Sequence, residues 1–262
     1  MRALRRLAPA LLPLLTTASV LAPRTSRAAD FLPAVSLHLE AARYAPVETD
    51  LHWTGTMGGG ADIIGLGGLR GYIVGDVETI IGSTRRAFDA TQANYHLEFG
   101  GRWRMRGVTV NPFFHHVSRH LSDREKVPAV DWNMLGVRAR TRLSLGGRRA
   151  EVGGSVGHTT LDSLVGYRWE LIGHGDLELF GRDRAAGYGA ARARLVTVDP
   201  EAELPRGDFL DWAIEGGFRF RSEHRVFEAF AAYERRNDVL LLVPSVRDRG
   251  LFGIRIRFGE DE

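Results

Sequence analysis

Residues 108–145 read VTVNPFFHHVSRHLSD, then the charged link Arg124-Glu125-Lys126-Val127-Pro128, then, after Ala129, VDWNMLGVRARTRLSL. Side chains along a strand point alternately to opposite faces. In the first run Val108, Val110, Pro112, Phe114, His116, Ser118 and His120 share a face. In the second, Asp131, Asn133, Leu135, Val137 and Ala139 share one face, and Met134, Gly136, Arg138, Arg140 and Arg142 share the other. Each apolar face becomes polar as it nears the link. The two runs form a hairpin whose pattern fits the wall of a membrane barrel, with a polar cluster at the rim.

The same alternation recurs along the chain. Tyr95, Leu97, Phe99 and Trp103 alternate with His96, Glu98, Arg102 and Arg104, and Leu210, Trp212, Ile214, Phe218 and Phe220 with Glu215, Arg219 and Arg221. The closing run alternates Phe252, Ile254, Ile256 and Phe258 with Arg255 and Arg257. Turn signals between such runs predict twelve strands, with ten or fourteen as alternatives. They cover 33–44, 51–64, 69–83, 95–106, 108–121, 130–145, 149–162, 165–179, 187–198, 209–222, 225–238 and 248–258.

A soluble sandwich turns its apolar face inward against a dry core. Here the second face carries charges of both signs and the apolar face is rich in aromatic residues. A membrane barrel accommodates this by facing lipid with the apolar side and lining its interior with polar groups. The strand lengths suit the ~9–11 residues needed to cross a bilayer. The links support the same orientation. Those at 66–68, 106–107, 146–148 and 222–224 are tight, and those at 84–94, 122–129, 199–208 and 239–247 are long. Outer-membrane barrels have short periplasmic turns and longer external loops. Two links depart from the rule: 163–164 is expected long and reads short, and 180–186 the reverse.

Residues 1–28 read as a cleaved signal peptide, leaving 29–262 as the barrel. Arg2, Arg5 and Arg6 precede an apolar run from Leu7 to Val20, and Ser26-Arg27-Ala28 offers the cleavage site. The chain has no cysteine, so no disulfide supports it. Lys126 is the only lysine. The arginines are spread over many strands, which excludes a concentrated nucleic-acid patch. Glu98, Arg102, Arg104, Arg138, Arg140, Arg168, Glu170, Glu215, Arg219, Arg255 and Arg257 are expected to line the lumen. They either surround water or pair across a constricted interior, and a twelve-strand bore favours the second.

In pattern, the chain resembles bacterial outer-membrane β-barrel proteins. The run Leu251–Phe258 is similar to the terminal strand by which that class is recognised, although Gly259-Glu260-Asp261-Glu262 follow it here. The resemblance implies an outer-membrane location and, as partners, membrane lipid and the outer-membrane insertion machinery. His116, Ser118, His120 and Asp123 resemble the His-x-Ser-x-His-x-x-Asp signature of an uncharacterised bacterial barrel family. His116 and Ser118 also resemble, more loosely, the His-x-Ser pair of the lipid A 3-O-deacylases, which carry it on a lipid-facing strand with an acid on the next strand. Arg119 stands where that family has Asn. This resemblance implies a lipid ester hydrolase.

The residues support such chemistry on their own terms. A serine becomes nucleophilic when an oriented base takes its proton. His116 and Ser118 share a face at roughly 6.5–7 Å between Cα atoms. We expect Ser118 as nucleophile, His116 as base, and Asp131 or Asp123 as the orienting acid. A turn centred near Glu125 would place Asn133 opposite Ser118 and Asp131 opposite His120, so that Asn133 can donate to an oxyanion. The competing reading is a polar interfacial girdle on a non-catalytic barrel, either a narrow channel or a structural surface protein. A metal site from His115, His116 and His120 is disfavoured because His115 points to the opposite face. Gly58-Gly59-Gly60 is followed by no helix that would complete a phosphate loop. No cofactor is expected.

Overall fold

The computed structural model describes residues 29–122, 130–204, 206–240, 243 and 245–259. The signal peptide expected at 1–28 and the candidate acid Asp123 lie outside them. Twelve strands follow in order: β1 Asp30–Glu48, β2 Leu51–Leu66, β3 Leu69–Gly82, β4 Asp89–Met105, β5 Val108–Leu121, β6 Val130–Leu145, β7 Arg148–Asp162, β8 Tyr167–Arg182, β9 Ala185–Val198, β10 Phe209–Ser222, β11 Arg225–Arg236 and β12 Arg247–Phe258. Each pairs antiparallel with the next. β12 returns to β1, with Leu37 opposite Phe258 and Ala45 opposite Gly250, so the barrel closes and no edge is left.

One end is made of two-residue turns throughout: 67–68, 106–107, 146–147, 183–184 and 223–224. Arg106 and Gly107 (φ 47° and 86°), like Gly146 and Gly147 (59° and 78°), have both central residues at positive φ, the geometry that matches the twist of paired strands. The other end carries links 49–50, 83–88, 122–129, 163–166, 199–208 and 237–246. The link expected at 180–186 is a correction. β8 runs to Arg182 and β9 starts at Ala185, so only Asp183 and Arg184 turn. The polar stretch there is strand that has left the apolar zone. The link after β7 remains short.

The outward face is apolar. Leu37, Met57, Leu97, Phe99, Leu135, Val137, Ile214, Phe252 and Ile254 are all exposed, Phe252 by 62%. So continuous an apolar exterior suits lipid and not water. Exposed aromatics mark its limits: Trp103, Phe180, Phe220 and Phe227 towards the short turns, Tyr95, Trp169 and Tyr233 towards the longer links. Tyr95 and Trp103 are eight residues apart on β4, about 27 Å along the strand. With the usual tilt this is roughly 20 Å of height, close to the apolar band of such barrels. The glycine run belongs to the wall: a Cβ at Gly59 would lie 2.6 Å from the Ser36 carbonyl oxygen.

The interior is packed with ion pairs. Glu228 is fully buried and receives Arg219, Arg255 (2.9 Å) and Arg257 (2.8 Å). Glu98 takes both guanidinium nitrogens of Arg138, at 2.9 and 2.8 Å, and the Tyr72 hydroxyl at 2.8 Å. Arg194 donates to Glu170 (2.6 Å) and Asp211 (3.0 Å). Bidentate guanidinium–carboxylate pairs are well suited to a narrow bore, because they satisfy donors and acceptors together.

At the long-link mouth, the link between β11 and β12 is described at 237–240, 243 and 245–246. Asp238 and Val239 turn inward and are buried. The Asp238 carboxylate pairs with Arg119 at 2.9 Å and Arg206 at 3.0 Å, and accepts from the Tyr167 hydroxyl. Arg119 also donates to the carbonyl oxygens of Asp238 (3.1 Å) and Val239 (2.8 Å). Val239 packs with Leu51, Ile80 and Leu251. Burial alone would raise the Asp238 pKa, but the charges of Arg119 and Arg206 outweigh it and hold the carboxyl below the usual range.

Candidate active site on the lipid face

The site is built on four neighbouring strands. Phe114, His116, Ser118 and His120 face outward on β5, while Phe113, Val117 and Arg119 are buried inward. The register places Ser118 between Tyr95 on β4 and Asp131 on β6, and His116 between Leu97 and Asn133. Tyr95 belongs to the aromatic girdle, so Ser118 sits level with that girdle. Polar groups are rarely left unpartnered against lipid, and here they bond to one another.

The pairings differ from the sequence expectation. Ser118, not His120, faces Asp131, and Asn133 faces His116. The first strand pair below the link is Arg119 with Val130, so the link is centred before Glu125. Ser118 Oγ bonds to His120 Nε2 at 2.8 Å, and His116 Nδ1 bonds to Asn133 Oδ1 at 2.7 Å. The partner of the serine is therefore His120, and not His116 as the spacing had suggested. An amide oxygen cannot donate, so His116 carries its proton on Nδ1. This leaves the Asn133 NH2 group outside that bond. Tyr95 meets the His120 ring edge-on at 5.6 Å. Asp131 accepts from the Ser163 hydroxyl at 3.2 Å. Across β7 the polar row continues to His158, which packs on Trp169 at 4.5 Å. Sequence reasoning had passed over Ser163 and His158. Alternation had placed Tyr95 on the lipid-facing side but could not assign its height or its place beside His120.

Of the residues expected in the lumen, Glu98, Arg138 and Glu170 line a central cavity of about 550 Å³ with His96, His115, Arg192, Arg194 and Glu234. Arg102 and Arg140 line a second cavity of about 280 Å³ nearer the short turns, where Arg102 pairs with Asp62 at 3.2 Å. Glu215 accepts from Tyr188 and Arg255, and Arg219 and Arg257 converge on Glu228. Arg104 is exposed near the short-turn end. Arg168 is a correction. A bulge between Tyr167 and Trp169 interrupts the alternation, and the exposed Arg168 pairs with Asp199 at the rim. The histidine pair His96–His115, stacked and bonded at 3.2 Å inside the lumen, was not legible from spacing.

No family model matches the sequence, and no curated protein sequence matches it. Solved structures are similar to it at low identity. LpxR from Salmonella typhimurium is 10% identical over 85% of this chain and 99% of its own, with a TM-score of 0.49. The beta domain of the Bordetella autotransporter BrkA is 11% identical over 87% and 99%, with a TM-score of 0.45. The translocator domain of autotransporter NalP from Neisseria meningitidis is 9% identical over 92% and 90%, with a TM-score of 0.44. Likeness at this identity extends to the fold alone.

Proposed function

We propose that the protein is an outer-membrane β-barrel carrying a serine esterase for outer-leaflet lipid on its outer wall. The observation that carries this reading is the 2.8 Å bond from Ser118 Oγ to His120 Nε2 on the apolar outer face, level with Tyr95. For Nε2 to accept the serine proton, the neutral ring must hold its own proton on Nδ1. Asp131, across from Ser118 on the same face and bonded to the Ser163 hydroxyl, is assigned as the acid that would turn to orient it.

In the reaction, Ser118 Oγ attacks the ester carbonyl carbon and its proton passes to His120 Nε2. The carbonyl oxygen becomes an oxyanion, towards which the Asn133 amide donates. His120 then protonates the departing alkoxide, leaving an acyl group on Ser118. Water, deprotonated by the same ring, releases the fatty acid. His116 acts through Asn133, fixing the amide orientation. Substrate arrives by lateral diffusion in the leaflet, so neither lumen nor cofactor takes part. Insertion of the barrel is assigned to the outer-membrane machinery, through the β12 strand.

The test is fatty-acid release from outer-membrane lipids, including lipid A, by the purified folded protein. Ser118→Ala and His120→Ala are each expected to lose at least ~10³-fold in turnover, with the double variant little worse. His116→Ala should lose less. No release by the wild type, or equal release by Ser118→Ala, would leave a non-catalytic barrel with a polar girdle. The ion-paired bore argues against a wide pore as its role.

A further inference from the structure

The central cavity holds two opposite charges without partners. Arg102, Arg138, Arg194, Arg219, Arg236 and Arg255 all pair with lumen carboxylates. Arg192, on the inward face of β9, has no hydrogen bond or ion pair among the described residues, although its side chain is exposed within the bore. Its surroundings favour an anion: Arg194, Arg236 and Arg138 lie close enough to repel it, with Glu170 the nearby carboxylate. Glu234, inward on β11, makes no ion pair among the described residues and its Oε1 is buried with no hydrogen-bond donor, although Arg236 and Arg249 lie close enough to attract it.

The register relates the two. Arg192 is opposite Ala213 on β10, and Ala213 is opposite Glu234. They therefore stand at one level, one strand apart on either side, with about 9.6 Å between Cα atoms. The residue between them is alanine, which leaves the space above β10 open. Both line the same cavity of about 550 Å³. The buried Glu234 oxygen is costly to leave without a donor, and the exposed Arg192 guanidinium offers charge-assisted bonds, so a ligand that supplies a cation to one and a carboxylate to the other gains at each end.

We propose that this cavity binds a small zwitterionic solute of the amino-acid class, its carboxylate on Arg192 and its ammonium on Glu234. The site faces the lumen and shares no residue with the Ser118 group on the outer wall. The two proposals can therefore fail separately.

The test is calorimetric titration of the full, detergent-solubilised barrel with three probes of similar length: 4-aminobutyrate, butyrate and butylamine. The zwitterion is expected to bind at least about tenfold more tightly than either single-charge probe, the ratio one charge-assisted pair supplies. Arg192→Gln should erase its advantage over butylamine, and Glu234→Gln its advantage over butyrate. Folding of each variant is checked by heat-modifiable electrophoretic mobility. Equal binding of the three probes, no binding of any, or unchanged preference in a folded variant would overturn the proposal. Loss of preference in Arg192→Gln alone would overturn the role of Glu234.

Discussion

Asp238 holds the link between β11 and β12 in place, and Asp238→Asn tests that directly. The substitution keeps the shape and removes the charge. The carboxylate, 4% exposed, faces Arg119, also 4% exposed, and Arg206, 6% exposed. Removing one partner of so buried a group costs ~3–5 kcal/mol, because the remaining charges are left uncompensated. Arg119 keeps its bonds to the Asp238 and Val239 carbonyls, and Arg206 keeps its 2.9 Å bond to the Tyr167 hydroxyl. The lower figure therefore applies. About 3 kcal/mol shifts a closed–open equilibrium by roughly a hundredfold. Single-channel recording in planar bilayers should show brief, rare openings in the wild type and about a hundredfold more open time in Asp238→Asn. Acid should act similarly. The folded carboxyl lies below its unfolded value, so its stabilisation is complete above about pH 4 and disappears as pH falls through the lowered value. Asp238→Asn should respond far less to that change. Identical records for folded wild type and variant at neutral pH would refute the view that this residue closes the mouth.

Three further outcomes are expected. Glu228→Gln leaves Arg219, Arg255 and Arg257 around a neutral amide, and should destabilise the barrel by ~3–5 kcal/mol, read as a lower urea midpoint for refolding into lipid vesicles. Epitope tags in 83–88 or 199–208 should be labelled on intact cells and one at 67–68 should not; the opposite pattern would invert the barrel. If Asp131 orients His120 without bonding to substrate, Asp131→Asn should reduce ester turnover by less than Ser118→Ala; equal losses would make Asp131 a reacting group.

The wall was legible because alternation is a backbone property: Leu97 and Phe99 must face one way if His96 and Glu98 face the other. Strand ends were harder to read. Gly181-Arg182 looks like loop, yet strands near water no longer need apolar residues, and pairing continues to Arg182. Spacing could not choose the partner of Ser118, because a histidine lies two residues away on each side. The neighbouring strand decides, since Asn133 engages His116 and leaves His120 for the serine. Alternation also fails at a bulge, which is how Arg168 reaches the rim. The inward turn of the link between β11 and β12 was hidden because Asp238 and Val239 acquire their role only from Arg119, Arg206 and Leu51, far away in sequence.

The near-exclusive use of arginine gives the interior a one-sided response to chemistry. A guanidinium keeps its proton beyond any pH at which a membrane survives, whereas an ammonium on lysine would release it in strong base. In each arginine–carboxylate pair of the lumen the carboxylate is therefore the member that can be neutralised. Alkaline washing, which strips peripheral proteins from membranes, leaves these bridges intact; acid dismantles them one carboxylate at a time. Lys126 lies in the link 122–129, so an amine-directed reagent has no lysine to modify among the paired charges of the bore.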